Sequence, residues 1–187
     1  GIIAYNREVH DIFFQINVKC GQAREPKGKA GIANLLAEML QESNMIHSGE
    51  QWNDELDKLG SSVSVSTGDE NISISVKCLT KNFDATVPLI NEMMVMPKFD
   101  KDEFDRIKKQ ILEGIENQKT QATIMASNAF SELIFGKDHP YGNPGSGTIE
   151  SVNNITLDDV KKYYNDFFNP ALASIVMSGD VDKNMAM

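Results

Sequence analysis

The sequence predicts an α+β domain: a largely antiparallel sheet packed against helices. Three observations carry this. Residues 11–20 and 62–79 alternate apolar and polar side chains, the period of a half-buried strand. The segments between and after them repeat apolar residues at helical spacing, with capping residues at their starts. The order strands, helices, strands, helices, strand lacks the regular alternation of βαβ units.

Residues 1–20 read as two strands. In the second, Ile12, Phe14, Ile16, Val18 and Cys20 alternate with Phe13, Gln15, Asn17 and Lys19. A polar connector with Pro26 and Gly28 leads to a helix over Gly31–Ser43, where Ile32, Leu35, Leu36, Met39 and Leu40 form the core stripe. Ser48, with Gln51 three residues on, starts a second helix as a capping box, and Gly60 closes it. Val63 and Val65, then Ile72, Ile74, Val76 and Cys78, mark two strands joined through Gly68-Asp69-Glu70-Asn71, short enough for a hairpin.

An apolar helix follows from Phe83 to Met96, stopped by Pro97. Asp100 with Glu103 caps a long charged helix running to Lys119. A further helix covers Ala122–Phe135 and ends at Gly136. The turn-rich loop 136–147 precedes two helices capped by Thr148 and Thr156, the second reaching Phe168. Asn169-Pro170 breaks it, and Ala173–Val181 forms the last strand.

A length of 187 residues fits one domain, 1–187. The chain opens mid-pattern at Gly1 and stops at Met187 just after a strand, so it reads as a fragment of a longer multidomain chain. The net charge of −9 argues against nucleic acid or an anionic membrane as partner, and the acidity reads as serving solubility. No run is long and apolar enough for membrane insertion. Two cysteines, Cys20 and Cys78, are too few for a disulfide scaffold, and their positions in inward strand rows read as buried thiols. Met39, Met93, Met94 and Met96 read as core filler.

Chemistry is sought on the polar side of the first helix, where Asn34, Glu38 and Glu42 recur every fourth residue. A helical zinc site needs two ligands a turn apart and a base beside them. The motif H-x-x-E-H supplies all three. Here that frame holds Asn34, Ala37 and Glu38. Asn34 is a poor zinc ligand and Ala37 cannot act as a base. Glu38 could bind metal only with help.

The string GIANLLAEML resembles the glycine-led helix of the pitrilysin/insulin-degrading zinc peptidases, which reads roughly G-L-A-H-x-x-E-H-M-L in active members. The resemblance puts the first ligand position on Asn34, the base on Ala37 and the second ligand on Glu38. The family's third ligand is a Glu about 75 residues on, and the matching stretch Gln110–Ile115 puts Gly114 there. Glu113 is one residue away and would point about 100° around the helix. The likeness continues through Leu59-Gly60, Pro97-Lys98-Phe99, His139-Pro140-Tyr141-Gly142, Ile155–Val160 and Val176–Asp180, in the family's order and spacing.

The resemblance implies a domain of the pitrilysin/mitochondrial processing peptidase type. Its expected role is non-catalytic: part of the peptide-binding chamber and of the interdomain contacts of a metalloendopeptidase, from the second half of its chain. Asn34, Glu38 and Glu42 would line that chamber. It implies no metal in this chain and zinc in the catalytic domain of the parent protein. Its partners would be other domains or a paired subunit, and peptide substrate. The alternative is a structural or assembly subunit of the same fold, like respiratory-complex core proteins. A bacterial periplasm or cytoplasm and a mitochondrion all stay open.

Other chemistries fare worse. His10, His47 and His139 sit at no shared ligand spacing. Asn34, Glu38 and Glu42 could hold a hard cation through oxygen, but a solvated or interface-facing helix side is the simpler reading. No G-x-S-x-G nucleophile is present. Gly145-Ser146-Gly147 lacks the Lys-Ser/Thr and preceding strand of a phosphate loop.

Overall fold

The computed structural model describes residues 2–5 and 10–181. Five strands form one sheet: β1 (Ile2–Tyr5), β2 (Asp11–Val18), β3 (Ser62–Thr67), β4 (Ile72–Leu79) and β5 (Ala173–Gly179), in the order β1-β5-β2-β4-β3. Among the described residues seven α-helices accompany them: α1 (Ile32–Leu40), α2 (Gly49–Lys58), α3 (Phe83–Val95), α4 (Lys101–Gln118), α5 (Ala122–Phe135), α6 (Ile149–Asn154) and α7 (Leu157–Phe167).

The sheet is antiparallel at β2–β4, β2–β5 and β3–β4, and parallel at β1–β5. A parallel pair needs a long crossover, and the helices between β1 and β5 supply it. The strand expected within residues 1–9 is β1; residues 6–9 lie outside the described part. β2 ends at Val18 rather than Cys20: Lys19 N still donates to Leu172 O at 3.1 Å, but the backbone then bends, and Cys20 N donates back to Val18 O at 2.7 Å. β5 ends at Gly179, where Asp180 N turns to Asp11 O.

Period 2 places Ile12, Phe14, Ile16, Val18, Ile72, Ile74, Val76 and Cys78 on one buried face, under the helices. The register lines up Ser66, Ser73, Asn17 and Ser174 across the other face, where Ser73 Oγ donates to Asn17 Oδ1 at 2.6 Å. Cys78 opposes Ile12 at one end of β2 and Cys20 follows its other end. The two thiols therefore stand about 25 Å apart along the strand and are free. Burial pushes Cys20 up to about 12 and Cys78 up to about 11, so both stay protonated and inert.

The caps hold with one exception. Ser48–Gln51, Thr148–Ser151 and Thr156–Asp159 form reciprocal capping boxes. Asp100 accepts from Asp102 N and Glu103 N, but Glu103 does not close that box. Its Oε1 accepts from Ser43 Oγ at 2.6 Å, tying the start of α4 to the end of α1. The C-terminal carbonyls around α6 are capped from afar: Lys108 Nζ donates to Asn153 O and Ile155 O, and Lys29 Nζ to Asn154 O. Met39 and Met93 are core residues, whereas Met94 and Met96 are half-buried at its margin.

Candidate functional site

The first helix is fixed at its N-terminus by a close backbone approach and a side-chain cap. Gly31 enters it with φ 93°, and a Cβ there would stand 2.7 Å from Ser146 O. Facing it, a Cβ on Gly147 (φ 80°) would stand 2.3 Å from Ala30 O. Only glycine lets these two backbones meet. The cap is Glu25, whose Oε1 accepts from Gly31 N at 3.0 Å and from Ala33 N at 3.1 Å. Burial raises the Glu25 carboxyl to about 7, against the lowering effect of those two amides, and its Oε2 is buried without a protein partner. Tyr163 on α7 anchors the connector that leads to this helix, its hydroxyl lying 2.8 and 3.0 Å from Cys20 O and Gly21 O.

α1 lies along β3, the edge strand of the sheet. Thr67 Oγ1 donates to Ala33 O, and Val65 N donates to Gln41 Oε1, both at 3.4 Å. The helix buries Ile32, Leu35, Leu36, Met39 and Leu40, as its stripe predicts. Of the zinc-frame positions, Asn34 is half-buried and Glu38 exposed, while Ala37 is 2% exposed and belongs to the core. Desolvation, and then the Glu42 carboxylate, raises the Glu38 carboxyl above its usual range.

Glu42 lies past the helix end at Leu40. Its Oε1 accepts from Arg106 Nη2 on α4 at 2.6 Å. Arg106, Gln110 and Gly114 follow one another at four-residue spacing along α4, and Arg106 Nη1 donates to Gln110 Oε1 at 3.3 Å. Gly114 thus ends the row that starts at the Glu42–Arg106 pair. A Cβ there would meet nothing within 4 Å. Glu113 is exposed on the adjacent side of the helix.

The donor set does not fit zinc. The ion needs about four tetrahedral N, S or O ligands. This frame offers an amide, one carboxylate, a buried methyl and a glycine, while Glu42 is taken by a guanidinium. Among the described residues no group of three or more His, Cys, Asp or Glu is placed to hold a metal. His10 lies 3.5 Å from Asp180, His47 Nδ1 is 2.9 Å from Glu92, and His139 stacks on Phe135, so no two share a site. No helix among the described residues is long and apolar enough to cross a membrane.

Glu25, Arg106 and Tyr163 escape sequence reasoning. A capping box is sought three residues away, and Glu25 reaches six and eight residues ahead. Arg106 has no local signal, since its partner Glu42 lies 64 residues earlier, just past the end of α1.

A glycine-led helix laid against a mostly antiparallel sheet, with the long helix α4 beside it, makes this an α+β domain. The chain belongs to the insulinase family: the description "Insulinase (Peptidase family M16)" matches residues 3–144. It is 24% identical over 169 residues to the non-peptidase homolog YmxG of Helicobacter pylori, covering 90% of this chain and 39% of that one. It is 24% identical over 182 residues to an uncharacterized zinc protease of Rickettsia bellii, covering 97% and 44%. The fold matches the crystal structure of a peptidase M16 inactive domain from Pseudomonas fluorescens with a TM-score of 0.92 at 23% identity, over 98% of this chain and 45% of that one. The chain therefore spans less than half the length of these relatives.

Proposed function

We propose that this chain is a non-catalytic domain of an M16-type zinc peptidase, forming part of the wall of a peptide-binding chamber and packing against other domains of the same protein. The observation that carries the reading is the content of the zinc frame. The likeness of GIANLLAEML and Gln110–Ile115 to the family's motifs puts Asn34, Ala37, Glu38 and Gly114 at the ligand and base positions, and the two helices that carry them pack together. A side chain that cannot ligate and one that cannot take a proton leave no route to an activated water. What remains on the polar side of α1, the half-buried Asn34 and the exposed Glu38, is surface that can meet a peptide. Glu42 is the least available of the three, being held by Arg106. Zinc and cleavage belong, in this reading, to another domain of the parent protein.

Metal analysis of the purified chain, with a peptide-cleavage assay, tests this directly. The expected result is no stoichiometric zinc and no cleavage; one tightly held equivalent with turnover would refute it. The combined substitution Asn34→His, Ala37→Glu, Glu38→His and Gly114→Glu is the converse test. If the frame has only lost its side chains, this variant binds zinc.

A further inference from the structure

α5 is turned inside out relative to the domain that carries it. None of its fourteen residues is buried. Its half-buried positions are Ile124, Asn128 and Ser131, a stripe at i, i+4 and i+7 that is mostly small and polar. The outward side carries Phe130, Leu133 and Ile134, 64%, 85% and 57% exposed. A surface helix ordinarily shows the reverse pattern. Glu132 is the helix's only charged residue, and the other exposed polar groups are the small hydroxyls of Thr123 and Ser127. Behind the helix a cleft of about 560 Å³ separates it from the end of α4 and the Pro144–Glu150 segment. Its firm attachment is at one end, where Phe135 stacks on His139 and meets Tyr141 edge-on. No side chain caps its N-terminus at Gln121. A helix of this length is marginal in water without a packed face.

We infer that the Phe130–Leu133–Ile134 face of α5 is the docking surface for a companion domain of the same natural chain. The length of the relatives supports this occupant, since this chain covers 39–45% of them. The chemistry agrees, because permanent interfaces are apolar and depleted of charge. A membrane is disfavoured: α5 carries no Lys or Arg and the chain is net −9, whereas interfacial helices are rich in cations. The inference rests on the proposed function only for the existence of that companion.

The test is hydrogen exchange of residues 122–135 in the 187-residue chain and in the natural chain that carries it. Exchange is expected to be at least about ten-fold slower in the natural chain. The double substitution Phe130→Asp and Leu133→Asp is expected to abolish that protection while leaving the melting temperature of the 187-residue chain unchanged. Equal exchange in both chains overturns the inference. So does a natural chain that contains no further domain, or protection in the 187-residue chain that rises with its concentration, which would mark a second copy as the occupant. These readouts are independent of catalysis. Zinc found on this domain would sink the proposed function and leave α5 protection intact, whereas an unprotected α5 would leave the emptied zinc frame as it stands.

Discussion

α1 and α5 are the domain's most instructive pair of helices. Both are apolar and nearly free of charge, and each carries a single glutamate: Glu38 in α1 and Glu132 in α5. In α1, seven of nine residues are buried; in α5, none of fourteen is. α1 is also fixed at both ends, by Glu25 and the Gly31–Gly147 contact at the start and by Gln41 at the finish, while α5 is held chiefly at its C-terminal end, by the Phe135 aromatic contacts and the Lys137–Glu132 pair. The same composition therefore serves two purposes. One helix completes a core within the described residues, and the other presents apolar surface to something else.

Four measurements would break or sharpen this contrast. The largest effect is expected from Leu36→Ala in α1, which empties a fully buried site and should cost about 2–5 kcal/mol in denaturant unfolding. A loss below about 1 kcal/mol would mean that α1 is not the keystone its burial implies. Next is the Glu25 cap. A carboxyl raised to about 7 in the fold from 4.5 binds more protons folded than unfolded between those values. Its contribution is present below 4.5 and lost as pH rises through about 7. Glu25→Gln cannot ionise, so its stability relative to the parent chain should rise over that window, by up to about 3 kcal/mol. An unchanged difference between pH 4.5 and 7 would contradict the burial of this group.

Arg106→Ala comes third. It breaks a half-exposed pair with Glu42 and should cost under about 1 kcal/mol by thermal unfolding. The smallest effect is expected at Leu133→Ala in α5, within about 0.5 kcal/mol in the 187-residue chain, because the side chain is already in water. If that substitution cost as much as Leu36→Ala, the two helices would not differ as described.

Much of the fold was legible because its signals are local. The period of Ile12 to Val18 and of Ile72 to Cys78 places the sheet's buried face, and the Ser48, Thr148 and Thr156 boxes mark helix starts. The parallel β1–β5 pair was not legible, because the choice of neighbour for an edge strand is made by a crossover that no single segment encodes. The zinc frame could be read as a spacing of residue types. Its surroundings could not, since Glu42 meets Arg106 and Glu25 meets Ala33 only after the chain has folded back. The α5 periodicity reveals a helix and says nothing of whose core it joins.

The position of β5 between β1 and β2 has a consequence for how this domain is made on the ribosome. Among the described residues β1 pairs only with β5, about 170 residues later, and α1 cannot be sealed until Gly147 arrives to meet Gly31. The stretch from β1 to β5 must therefore emerge before β1 is paired. Until then the nascent polypeptide carries an open strand and an apolar helix, a state suited to chaperone capture.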